Sequence, residues 1–106
     1  MTFSLHIVTA DALVAEARAA WRSQIDAATD AHIEAQARAL GYSSAAQLAS
    51  YAPSTVPDWA AEARAFVAWR DAVWLAVHAL QNAPAPGAIL PPIDAVLAAL
   101  PAWQAT

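Results

Sequence analysis

The feature that most constrains this chain is the stretch Thr55–Leu80, which reads TVPDWAAEARAFVAWRDAVWLAVHAL. It holds three of the five tryptophans, and no glycine or proline follows Pro57 before Asn82. A proline fits the first turn of a helix, and the acidic side chain of Asp58 is favoured at the same end. Thr55 is the predicted N-cap. The pattern therefore predicts one long helix whose apolar sides must be covered by other elements.

A second long helix is predicted over about Ala10–Leu40, with Thr9 as its cap and Gly41 as its left-handed stop. Charged residues recur at every fourth position: Arg18, Arg22, Asp26, Asp30, Glu34 and Arg38. Because a helix turns every 3.6 residues, such a stripe drifts by about 40° per step, and the apolar face should wind with it. The expected apolar residues of the two halves are Val14, Trp21 and Ile25, then Ile33, Ala37 and Leu40. Either the helix curves over its own core, or its N-terminal half contacts a different chain.

Two shorter helices complete the prediction. Ser43 or Ser44 should cap a helix ending at Ser50, with Leu48 and Tyr51 facing inward and the next proline stopping it. After the main helix, the sequence APAPGAILPP is a proline-rich linker. The last helix is expected to carry apolar residues at helical spacing, followed by a tail with a tryptophan: Ile93, Val96, Leu97, Leu100 and Trp103.

The N-terminal segment Thr2–Val8 alternates apolar and polar side chains with the period of a strand. No second strand is evident, and a lone strand leaves its backbone groups unpaired. The segment is therefore either an extended arm on the helices or a strand that pairs with another copy or a partner.

These elements predict an all-α fold: an antiparallel pair of long helices, a short intervening helix, a short C-terminal helix and an N-terminal extended or β segment. The expected division is an arm or strand at 1–8, a helical domain at 9–82, a linker at 83–92, and a short helix with its tail at 93–106.

Charge and composition exclude several classes of function. The net charge is −4, and the five basic residues are all arginine, so neither nucleic acid nor an anionic membrane is an expected partner. The absence of cysteine excludes disulfides and thiolate metal sites. The longest apolar run, Ala72–Leu80, is far short of the roughly 20 residues that span a bilayer.

The titratable residues do not form a recognisable catalytic or metal-binding pattern. His6, His32 and His78 fall on three different elements without a ligand pair one turn apart. The carboxylates of the long helix fall on its charged stripe, where a solvated face explains them. We therefore expect no enzyme, no metal and no cofactor.

The surplus of tryptophan favours either dense packing or a surface covered by a partner. Arg70 and Asp71 interrupt the most apolar part of the main helix, and either both reach solvent or they form a partly buried ion pair with another helix or subunit. Val67, Trp74 and His78 form a second stripe, so we expect a homo-oligomer or a bound partner. The candidate interface residues are Phe3, Leu5, Ile7, Trp21, Val67, Arg70, Asp71, Trp74, His78 and Trp103.

Four motifs carry a resemblance to a known family: the GYSS turn, the SYA-x-S-x-x-P segment, the AWRDAVW block and the ending LPPIDAVLAALPAW. Over roughly Ile25 to Trp103 the chain resembles a small helical module encoded among the tail-fibre genes of tailed bacteriophages and prophages. The resemblance implies a non-enzymatic role as a structural part or assembly factor, with a tail-fibre or baseplate protein as partner. The implied location is the virion tail, or the host bacterial cytoplasm during assembly.

A second hypothesis is a small regulatory or nucleic-acid-associated helical protein. The turn and short helix at Gly41–Tyr51 resemble the start of a helix-turn-helix, although the negative net charge argues against it.

Overall fold

The computed structural model describes residues 9–85 and 88–104, and the regular elements in these ranges are all helices. They are α1 (Ala10–Ala39), α2 (Ala45–Ser50), α3 (Pro57–Asn82) and α4 (Ile93–Ala98). The predicted all-α class, with two long and two short helices, is confirmed. The predicted arm or strand at 1–8 lies outside the described residues.

The two long helices pack antiparallel. Near the end of α3, the Gln81 carbonyl accepts from Arg18 at 3.0 Å, in the first half of α1. Further back along α3, the Trp69 ring lies 5.7 Å from the ring of His32, in the second half of α1. The short helix α2 packs against both long helices at the other end of the pair.

The core-facing side of α1 winds around the helix, as the four-residue stripe predicts. Its buried residues recur at every fourth position: Trp21, Ile25, Thr29, Ile33 and Ala37. The Thr29 hydroxyl donates to the Ile25 carbonyl at 2.7 Å, so its buried oxygen is satisfied within the helix. Val14 does not reach the domain's own core, because it is 39% exposed and α3 ends before reaching it; contact of this half of α1 with a different chain stays a prediction.

Local chemistry determines both ends of α1. The Thr9 side chain accepts a hydrogen bond from the Ala12 amide at 3.1 Å, as predicted. At the other end Gly41 has φ of +97°, and its amide donates to the Arg38 carbonyl at 2.9 Å. The Tyr42 amide donates to the Ala37 carbonyl at 3.1 Å. This pair of bonds is the Schellman arrangement, which satisfies carbonyls that a helix end leaves free.

The start of α2 is held by two side chains. Ser44 accepts from the Gln47 amide at 3.0 Å, and the Glu34 carboxylate of α1 accepts from the Ala45 amide at 3.1 Å. The inward position of Leu48 is confirmed, since it is fully buried.

The predicted cap of α3 is wrong. Its N-cap is Val56, not Thr55, and no side chain caps the helix. Pro57 occupies the first helical position and restricts the preceding residue to extended angles, so the cap falls directly before it. The Ser54 hydroxyl instead accepts from the Val56 amide at 3.1 Å.

The C-terminal segment folds back over the helix pair. Nε1 of Trp21 donates to the Pro91 carbonyl at 2.7 Å, before α4, and Nε1 of Trp69 donates to the Pro101 carbonyl at 2.9 Å, after α4. Between these two bonds Val96 is buried against α1. The residues of this segment therefore complete the core rather than forming a separate tail.

Candidate functional site

The candidate site is one side of α3, which we call the outer face and define as Val67, Asp71, Trp74, Leu75 and His78. The last four of these residues follow the spacing i, i+3, i+4 and i+7, which places them on one side of a helix. Leu75 is 71% exposed, and Asp71 and His78 are exposed as well. Val67 and Trp74 are half-buried.

Trp74 connects the outer face to the core. Part of its ring packs against the buried cluster, and the ring of His78 lies 6.0 Å away, tilted by 46°. Contact with the core restricts the rotamers of the indole, so a partner would lose little side-chain entropy in ordering it. The arrangement is a fixed aromatic surface bordered by a freely exposed leucine.

Arg70 and Asp71 pair with each other at the edge of this face. Nε and one terminal nitrogen of Arg70 donate to Oδ1 of Asp71, at 3.2 and 3.0 Å. The two side chains are 35% and 59% exposed, so they reach solvent, as one of the two interpretations expected. An exposed pair of this kind contributes about 0–1 kcal/mol to stability and leaves both charges accessible to a partner.

Two predicted interface residues pack against other parts of the domain. Trp21 is only 6% exposed, and its indole nitrogen is bonded to the Pro91 carbonyl. Trp103 is half-buried, with its ring 6.3 Å from Phe66 and 5.8 Å from Trp69. The buried position of Trp21 corrects its prediction as an interface residue, whereas the role of the half-buried Trp103 at an interface stays a prediction.

The other predicted interface residues, Phe3, Leu5 and Ile7, lie outside the described part of the chain. Within the described part, the structure brings together Val67, Arg70, Asp71, Trp74 and His78 on α3.

The sequence prediction missed Leu75, the most exposed apolar residue of this face. It lies nine residues after the fully buried Phe66, which amounts to about two and a half turns and places it opposite the core. That spacing is the signal by which Leu75 could have been found from the sequence.

A second aromatic group lies at the α2 end of the domain. Trp59 is 51% exposed and meets Tyr51 edge-on at 5.7 Å, and Tyr51 lies 5.8 Å from Tyr42. The Tyr42 hydroxyl donates to the Glu62 carboxylate at 2.7 Å. This hydrogen bond, followed by burial and by the negative charge of Glu62, raises the pKa of Tyr42 to about 12. Tyr42 therefore serves as a hydrogen-bond donor that links α3 to the end of α1.

Within residues 9–85 and 88–104, no three histidine, cysteine, aspartate or glutamate side chains lie close enough together to hold a metal ion. Over the same residues, no helix has both the length and the hydropathy needed to cross a membrane.

Comparison with known proteins identifies no relative. No protein-family model matches the chain, and no curated protein or solved structure matches it either.

Proposed function

We propose that this protein is a non-enzymatic accessory protein of bacteriophage or prophage tails, which binds a tail-fibre or baseplate component as a structural part or assembly factor. The observation that carries the proposal is the outer face of α3, where Leu75 is 71% exposed beside Trp74. The motif resemblance described above supplies the class of partner.

The outer face has the properties of a helical binding surface. Recognition through one side of a helix uses anchors at i, i+3, i+4 and i+7, the spacing of Asp71, Trp74, Leu75 and His78. Tryptophan and arginine are the residues most enriched where binding energy concentrates. Full burial of a leucine against a partner is worth about 1.5–3 kcal/mol. Arg70 and Asp71 would form the polar rim and fix the orientation of the partner.

Co-expression with the product of the neighbouring fibre gene tests the proposal. The two proteins are expected to co-purify, and Leu75→Glu should abolish the complex because it places a charge within the apolar contact. Leu13→Glu is the matched control, since it makes the same substitution at a 55% exposed leucine of α1. Failure to co-purify, together with absence of the protein from purified virions, would refute the proposal. Mass spectrometry of virions separates a structural part from an assembly factor.

The alternative of a regulatory or nucleic-acid-associated protein has weaker support. The segment 41–51 contains no arginine or lysine, and Leu48 of its six-residue helix is fully buried. Salt-sensitive binding of random duplex in a gel-shift assay at low salt would favour this alternative over the tail protein.

A further inference from the structure

The first helix extends beyond the helix that covers it. Arg18 donates to the Gln81 carbonyl at 3.0 Å, and Arg22 donates to Oδ1 of Asn82 at 2.8 Å, which fixes the level at which α3 ends. The start of α1 at Ala10 lies eight residues before Arg18, about 12 Å further along the axis. Residues 10–17 are exposed, so α3 does not cover these first two turns; residues 82–85, Ala88 and Leu90 lie only at their edges.

The side of α1 that packs against α3 continues through this uncovered part. Thr29, Ile25 and Arg22 lie on the side that α3 covers, at steps of four and then three residues towards the N-terminus. Continuing with the same alternating steps leads to Arg18, Ala15 and Asp11. This is the spacing of a seam between two packed helices. Beyond the end of α3 the seam, together with residues 82–85, lines an open groove of 620 Å³. The groove residues from α1 are Asp11, Val14, Ala15 and Arg18.

We propose that a second copy of this chain fills the groove with the first turns of its own α1, running antiparallel and forming a two-fold symmetric dimer. A two-fold axis that passes between Val14 and Ala15 places Asp11 of each copy opposite Arg18 of the other. The same axis places Val14 opposite Ala15, a larger apolar side chain against a smaller one. The four groove residues of α1 are therefore complementary to themselves in both charge and shape, as an isologous interface requires.

Two further features fit this occupant. An antiparallel α1 from the second copy continues the direction of α3, so its positive N-terminal end meets the negative C-terminal end of α3. Arg18 is bonded to Gln81 through one terminal nitrogen, and a guanidinium has five N–H donors. Its remaining donors are available to the carboxylate of Asp11 from the second copy, in a charge-assisted hydrogen bond.

Sedimentation equilibrium of the full chain over a range of concentrations tests the dimer. The wild-type chain is expected to show a reversible monomer–dimer equilibrium. Asp11→Arg and Arg18→Asp should each raise the dissociation constant at least about tenfold, because each places like charges opposite one another. An equimolar mixture of the two variants should regain the dimer, since both charge pairs of the mixed dimer are then opposite in sign.

Matched controls separate the seam from the rest of α1. Glu16→Arg makes the same change of charge as Asp11→Arg, but on the other side of the helix, and should leave the dissociation constant unchanged. Val14→Glu should weaken the dimer, whereas Leu13→Glu, on the far side, should not. Val14 and Asp11 are exposed, so these two variants test the interface even if Arg18→Asp loses its bond to Gln81 and unfolds.

Three results would overturn the proposal. The first is a wild-type chain that stays monomeric at every concentration. The second is a dimer weakened equally by Asp11→Arg and Glu16→Arg. The third is a dimer lost with Leu75→Glu but retained with Asp11→Arg, which would place the contact between copies on the outer face of α3.

Discussion

Replacing Trp69 by phenylalanine tests how the C-terminal segment is held against the helix pair. The substitution keeps an aromatic ring at a site that is 8% exposed, but it removes the N–H that donates to the Pro101 carbonyl at 2.9 Å. A hydrogen bond of this kind contributes about 0.5–1.5 kcal/mol net, and a carbonyl left partly buried without a donor adds to the cost. The substitution also weakens the edge-on contact with Trp103 at 5.8 Å, and an aromatic pair of this kind contributes about 0.5–1.5 kcal/mol.

Together these terms predict that Trp69→Phe lowers the free energy of unfolding by about 2 kcal/mol. For a domain of this size, each 1 kcal/mol shifts Tm by about 4–8 °C, so Tm should fall by about 10–15 °C. Thermal and urea unfolding followed by far-ultraviolet circular dichroism measure both quantities without depending on tryptophan fluorescence. Trp59→Phe is the matched control, because Trp59 is 51% exposed, and it should change stability by no more than about 0.5 kcal/mol.

Equal losses of stability in the two variants would show that the bond to Pro101 does not hold the segment. Trp21→Phe offers an independent check, since the Trp21 indole donates to the Pro91 carbonyl at 2.7 Å on the other side of α4. It should resemble Trp69→Phe rather than Trp59→Phe.

The remaining predictions concern the core, the end of α1 and Tyr42. Phe66→Ala removes the largest fully buried side chain and should lower the free energy of unfolding by about 3–5 kcal/mol. On heating, most or all of the cooperative unfolding transition should disappear, and a decrease below about 1 kcal/mol would contradict the packing of Phe66. Gly41→Ala should lower the free energy of unfolding in urea by about 1–2 kcal/mol because φ of Gly41 is +97°, and Gly41→Asn should lower it less. Equal stability of the wild-type chain and both variants would contradict a left-handed conformation at this position. Phenolate absorbance should show Tyr42 titrating near pH 12, against an ordinary pKa of 10.0, and Glu62→Gln should lower that pKa. Because the pKa of Tyr42 is higher in the folded than in the unfolded chain, the stability that Tyr42 contributes is present below pH 10 and is lost as the pH rises towards 12. An unchanged titration of Tyr42 in Glu62→Gln would exclude the carboxylate as the cause of the raised pKa.

The parts of the fold that follow from local chemistry could be predicted from the sequence. Thr9, Ser44 and Gly41 act through hydrogen bonds or backbone angles within a few residues of themselves, and their roles at the helix ends are confirmed. The winding of the apolar side of α1 depends only on helix geometry and was predicted for the same reason. The exception is Thr55, where Pro57 overrides cap preference by restricting the residue before it.

The errors share a different cause, which is contact between distant parts of the chain. Periodicity shows which side of α1 is apolar, but not that α3 ends before reaching Val14. Composition shows that Trp21 and Trp103 need partners, but not that the C-terminal segment folds back to supply them. For the candidate site, the stripe read from the sequence included the half-buried Trp74 but overlooked the exposed Leu75 beside it, and its role as an interface stays a prediction.

The two tryptophan bonds also impose an order on folding during synthesis. The bond from Trp21 joins residues separated by 70 positions, so it cannot form until Pro91 has been made. Ribosomes add about 5–20 residues per second, so Trp103 is added roughly one to four seconds after the end of α3. Until Trp103 has been added and the segment has folded back, Phe66 and Trp69 lack the contact that its ring provides. A helix pair without the segment after α3 would therefore expose these aromatic rings, so the segment completes folding rather than starting it.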